Sequence, residues 1–235
     1  MKFWLLLFFL FALNQQHLVA QTDSIPPKTP IFKAGFYLGS NYTIPQSPNI
    51  NDPSYSITGR SEWGYEIGLR ATFQISRFIY FSSGLSCGEI RYHTNVFGGN
   101  QYYNGNPYIL DMSTTAYYYS MPLILAGHIR SGKFEFYLGI GAEVTEFYKY
   151  LEEGQVTING QLSSVNNVGG KHPEIDFSIR PGLMAGLNYR KSNRIDFFAE
   201  MGVKDEKFGE GYFNNLYSGF LNVGFMYSIF RKSST

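Results

Sequence analysis

Hydrophobic and polar residues alternate with a period of two along most of the chain, which puts successive side chains on opposite faces of a strand. The clearest run is 61–75. Trp63, Tyr65, Ile67, Leu69, Ala71, Phe73 and Ile75 share one face, and Glu62, Gly64, Glu66, Gly68, Arg70, Thr72 and Gln74 share the other. A helix, with 3.6 residues per turn, cannot keep that parity over so long a run. The alternation recurs over 31–44, 78–93, 117–130, 133–148, 174–190, 194–204 and 216–230. It predicts eight strands, each long enough to cross a membrane at the usual tilt, which takes roughly 9–11 residues.

The links between strands alternate in length. Those at 76–77, 131–132 and 191–193 are tight, whereas those at 45–59, 94–115, 151–173 and 205–215 are long and rich in Asn, Gly, Ser and Tyr. An even number of antiparallel strands, with short turns at one end and long loops at the other, is the arrangement of an outer-membrane barrel, the short turns being periplasmic. The fold expected is all-β, an eight-stranded antiparallel up-and-down transmembrane β-barrel.

Glycine tells the two faces apart. Most strand glycines, among them Gly35, Gly64, Gly68, Gly139, Gly186 and Gly202, fall on the polar parity. The bore of an eight-stranded barrel is only just wide enough for side chains, so small residues belong inside and the bulky apolar face meets lipid. The polar parity also carries Glu62, Glu66, Arg70, Glu135, Glu143, Asp176, Arg180, Asp196, Glu200 and Lys204. Charges in a narrow bore must pair, so these ten predict a lumen plugged by ion pairs. A soluble exported ligand-binding barrel is the alternative, and it would need the opposite facing.

Composition agrees. Aromatic residues make up 18% of the chain and charged residues 16%, the latter well under the roughly 25% of soluble proteins. A net charge of +1 and the lack of a basic stripe give no reason to expect a nucleic-acid partner. The single cysteine, Cys87, cannot form an internal disulfide. Lys2 followed by the apolar run 3–13 reads as a secretory signal over residues 1–20, too short for a membrane helix. Residues 21–30, with Pro26, Pro27 and Pro30, read as an extended lead-in, 31–230 as the barrel and 231–235 as a tail. The protein is expected in the bacterial outer membrane, after export, as a monomer surrounded by lipid.

The export signal, the length of the barrel, the YYSMPLIL stretch (118–125) and the FEFYLGIGAEV stretch (134–144) together resemble the PorT-like outer-membrane β-barrel proteins of Bacteroidota. The resemblance implies location, and some members of that group are linked to a dedicated protein-secretion system. Asn222, Gly224, Tyr227 and Ile229 in the last strand resemble a barrel-assembly signal, which the assembly machinery reads by pairing with the strand's edge. The 94–115 link contains Tyr102, Tyr103 and Tyr108. Tyrosine beside asparagine makes an adaptable contact surface, so these three are the candidate contact for a protein partner.

No catalytic constellation, cofactor-binding motif or metal-ligand spacing is legible. The expectation is a non-enzymatic barrel with a structural or accessory role. The enzymatic alternative, a barrel acting on lipid, would be built on His93 with serine or glutamate neighbours.

Overall fold

The computed structural model describes residues 32–46, 55–76, 78–103, 106–169, 178–192, 194–206 and 215–229. The signal segment, the lead-in, Asp176 and the tail lie outside them. The described chain forms nine antiparallel strands: β1 (Phe32–Gln46), β2 (Tyr55–Gln74), β3 (Ile79–Tyr103), β4 (Asn106–Ser131), β5 (Phe134–Ile158), β6 (Gln161–Gly169), β7 (Ser178–Arg190), β8 (Ile195–Glu206) and β9 (Asn215–Ser228). Eight of them close a ring in the order β1-β2-β3-β4-β5-β7-β8-β9, with β9 returning to β1. Only β6 stands outside the ring, paired to the far half of β5.

Within the ring, closure pairs each strand on both sides and leaves no sheet edge, the condition for strands to sit in hydrocarbon. The facing follows the alternation. Leu69 and Leu138 are 62% and 69% exposed on the outside, while Arg180 and Glu200 are 1% and 2% exposed within. A water-soluble barrel would not leave so continuous an apolar surface uncovered, so the soluble alternative is overturned.

At the end carrying both termini of the ring, the turns are tight. Ser76 Oγ accepts from the Phe78 and Ile79 amides at 3.2 and 3.1 Å, and Ser192 Oγ accepts from the Arg194 and Ile195 amides at the same distances. Gly132, at φ +59°, turns β4 into β5.

The other end departs from expectation. The 94–115 and 151–173 links are largely strand. β3, β4 and β5 run for 25, 26 and 25 residues, against 13, 12 and 14 for β7, β8 and β9. The excess of about ten residues carries a sheet roughly 30 Å farther along the strand direction. β5 turns into β6 through Asn159 and Gly160, both at positive φ, the residue pair that favours a two-residue hairpin. That Asn-Gly signal was present in the sequence, inside what reads by composition as a loop.

Two of the strands, β2 and β5, change parity at the rim. The β2–β3 register slips between Ser61 and Glu66, and the β4–β5 register slips at Tyr117/Tyr118. Such bulges place two residues opposite one and reverse the facing beyond them. In β2 the buried side changes from Glu66, Gly68 and Arg70 to Ile57, and in β5 from Glu143, Thr145 and Phe147 to Tyr150. Both bulges lie at the rim, close to the outward rings of Trp63, Tyr65, Tyr119 and Tyr148.

A lipid-facing cation costs stability according to depth, about 2–4 kcal/mol at the bilayer midplane and ~0–1 kcal/mol near the interface. Leu69, in the middle of the ring, and Ile129, beside the β4–β5 turn, sample the two depths. Leu69→Arg is expected to lower the unfolding free energy in phospholipid vesicles by about 2–4 kcal/mol and Ile129→Arg by ~1 kcal/mol or less. Equal costs at the two sites, measured by denaturant titration, would contradict the facing described here.

Candidate functional site: a charged bore beneath a projecting sheet

Inside the ring the polar side chains stack in layers. Nearest the tight turns, Lys33 Nζ lies 2.6 Å from Asp196, with Arg190 at 3.7 Å from the same carboxylate. Beside them Glu135 accepts from Arg130 at 2.6 Å and from Asn188 at 2.9 Å, with His128 at 3.4 Å.

The next layer spans the bore. Arg70 of β2 meets Glu200 of β8 through both guanidinium nitrogens, one of them at 2.5 Å. Glu200 also accepts from the Tyr137 hydroxyl at 2.8 Å and from the Asn222 amide at 3.0 Å. The guanidinium lies over the rings of Tyr37 and Phe198, 5.0 and 4.9 Å from their centroids. Such a bidentate pair with its remaining lone pairs occupied is the geometry that lets a buried carboxylate stay paired rather than stranded.

Above it, Glu66 accepts from Tyr37, from Tyr118 at 2.8 Å and from Lys204 at 3.4 Å. Lys204 reaches Glu143 as well, and Arg180 holds Glu143 at 2.5 Å. Arg180 sits over the Tyr118 ring and Lys204 over Phe220, 4.8 and 4.7 Å from the centroids.

The aromatic residues in the bore stand opposite glycines. Tyr37 pairs with Gly68, Tyr118 with Gly88, Tyr137 with Gly186, Phe198 with Gly224 and Phe220 with Gly202. A Cβ on Gly68 or Gly186 would sit 2.4 or 2.3 Å from the ring lying over it, so only glycine leaves the rings room. This is the cross-strand covering of glycine by aromatics. It holds the Tyr37, Tyr118 and Tyr137 hydroxyls against the carboxylates.

Of the ten residues predicted for the charge network, eight converge: Glu66, Arg70, Glu135, Glu143, Arg180, Asp196, Glu200 and Lys204. Glu62 does not join them. It lies at the rim, 4.0 Å from Arg60. Asp176 falls outside the described residues. Lys33, Tyr37, Tyr118, Tyr137 and His128 belong with the network and were not assigned to it in sequence. All five lie on the polar parity; for Tyr37, Tyr118 and Tyr137 the further signal is a glycine on the next strand, and knowing which strand is next requires the fold.

Among the cavities of the bore are two of about 40 Å³ each, both lined by Arg70 and Glu200. Each is room for only a few waters, since one needs roughly 10–15 Å³ on this scale. Beyond the charged layers the inward face turns apolar. Ile57, Ile90, Val96, Ala116, Tyr118, Phe147 and Tyr150 form a buried cluster.

Tyr108, predicted as part of a partner contact, packs against that cluster with its ring over Gly98. It faces inward because the segment is strand and its parity is even. Tyr102 and Tyr103 end β3, and their side chains lie outside the described residues. In β9 the polar-parity residues Asn222 and Gly224 face the bore, while Tyr227 and Ile229 are 41% and 47% exposed outside.

The closed ring, its apolar outside and its paired, charged bore define a bacterial outer-membrane β-barrel. No protein-family profile and no curated protein matches this chain. Solved structures do. The outer membrane protease OmpT of Escherichia coli is similar at 9% identity, over 89% of this chain and 99% of that one, with a TM-score of 0.51. Neisserial surface protein A is 14% identical over 84% and 97%, with a TM-score of 0.49. OprG of Pseudomonas aeruginosa is 12% identical over 86% and 95%, with a TM-score of 0.41. Of these three, the OmpT superposition supports the barrel fold, and at that identity it bears on the fold alone.

Because Glu200 is the single carboxylate among the described residues that grips Arg70, Glu200→Ala strands a buried guanidinium and is expected to cost about 3–5 kcal/mol. The double replacement Arg70→Met with Glu200→Met removes both charges and is expected to recover most of that loss. A double-mutant cycle read by urea unfolding in vesicles checks this, and additive losses would show that the pair does not interact.

Proposed function

We propose that this protein is a non-conducting outer-membrane barrel with a structural or accessory role, exercised through its projecting β2–β6 sheet rather than through its bore. The observation that carries this reading is the Arg70–Glu200 pair. It links β2 to β8 across the lumen, and both of its residues line each of two small cavities in the bore. Short turns are periplasmic in barrels of this type, so the projecting sheet faces outward.

The sheet suits contact with other molecules. β6 pairs with β5 alone among the described residues. From Gln161 to Gly169 it carries no charged residue, the usual protection of an exposed edge. An extended segment of a partner protein could add to it by strand pairing. The likeness of 118–125 and 134–144 to PorT-like proteins supports placing that role alongside protein secretion. The spacing of Asn222, Gly224, Tyr227 and Ile229 supports recognition by the barrel-assembly machinery before closure, when β9 still has a free edge.

The reading is tested by planar-bilayer recording. Purified barrel, folded by the criterion of heat-modifiable gel migration, is expected to give no resolvable current steps at molar potassium chloride. Steady steps that scale with salt concentration would overturn it.

A further inference from the structure

On the outward face of the projecting sheet, just beyond the rim, three polar side chains from adjacent strands meet. His93 of β3 stands directly opposite Ser113 of β4. The Ser113 hydroxyl is 3.1 Å from His93 Nδ1, and His93 Nε2 is 2.5 Å from an Asp111 carboxylate oxygen. With Nε2–H donating to Asp111, Nδ1 keeps its lone pair for the serine proton. This is a nucleophile, base and orienting carboxylate in contact, recognised by roles and geometry rather than by position. The imidazole is turned over relative to the serine-protease arrangement, with Nδ1 toward the serine.

The cluster is reachable. The His93 side chain is 17% exposed and that of Asp111 is 57% exposed. Glu62 Oε1 lies 3.4 Å from the Ser113 hydroxyl and is the alternative acceptor for its single proton. Arg60 stands opposite His93 on β2, its side chain 77% exposed and 4.0 Å from Glu62. Ser113 lies four residues past Tyr117, roughly 13 Å along the strand above the aromatic rim that marks a membrane interface.

We propose that Ser113, His93 and Asp111 form a serine-hydrolase centre for carboxylic acyl esters that approach from the aqueous side of the rim. The side of the membrane rests on the outward orientation proposed above; the chemistry does not. Ser113 Oγ bonds to the acyl carbon while its proton passes to His93 Nδ1. The ester C–O bond breaks, and the imidazolium returns that proton to the leaving alkoxide. Water then repeats the sequence on the acyl-serine, releasing the carboxylic acid and restoring the hydroxyl. Asp111 is a positioning residue that fixes the tautomer.

The full chain, purified in detergent, is treated with a fluorophosphonate probe, and the modified residue is identified by mass spectrometry. Labelling is expected at Ser113 and should fall more than tenfold in Ser113→Ala and in His93→Gln. Asp111→Ala should lower it, and Asp111→Glu should restore part of the loss, which a merely structural role would not do. Heat-modifiable migration of each variant establishes that the barrel is folded. A folded wild-type barrel that takes up no probe, or whose labelling survives Ser113→Ala, overturns the proposal and leaves the closed-barrel reading untouched.

Discussion

An eight-stranded ring leaves a bore no wider than the side chains that fill it, so every polar group turned inward must find its partner inside. The rest of the structure follows from that constraint. Arg70 and Glu200 meet across the bore, Lys204 bridges Glu66 and Glu143, and tyrosine hydroxyls take up the lone pairs that the cations leave. The arrangement has to be complete, because one missing partner leaves a charge where water has little room to follow. Glycine makes it sterically feasible. Each ring that aims a hydroxyl at a carboxylate lies over a neighbouring strand's glycine, and a side chain there would push it away.

The interior changes character along the axis for a physical reason. Within the bilayer the outside must be apolar, so the inside takes the polar residues. Beyond the rim the outside meets water, and the ordinary preference returns, with apolar residues inside. The two bulges stand at that crossing and reverse the facing of β2 and β5 there. Ile57 and Tyr150 thereby join Ile90, Val96 and Phe147 in a cluster that covers the charged layers. β3 and β4 keep their register through the same crossing, so His93, Ser113 and Asp111 stay on the outward face, which beyond the rim is solvated.

Much of the ring was legible along the chain. The run from Trp63 to Ile75 fixed a strand and its lipid face, and the polar parity contained the charged residues that line the bore. The projecting sheet was not legible. Thr94, Asn95 and Gly98 have the composition of a loop, yet they lie in β3 because the ladder to β4 and the buried inner face sustain them. Tyr108 stands opposite Gly98 through the same ladder. His93 showed itself as the residue for an enzymatic site, but its neighbours did not, since Ser113 is 20 positions away and reaches it only through the β3–β4 register.

The amino-acid sequence by itself determined the period of two, the side of each strand that meets lipid and the chemical kind of residue in the bore, because these depend only on the alternation of neighbours within a strand. Which charges pair, which glycine lies beneath which ring, and which serine faces His93 were decided only by tertiary structure. Those contacts join residues as far apart as Arg70 and Glu200, 130 positions along the chain, and ring closure and register alone bring them together.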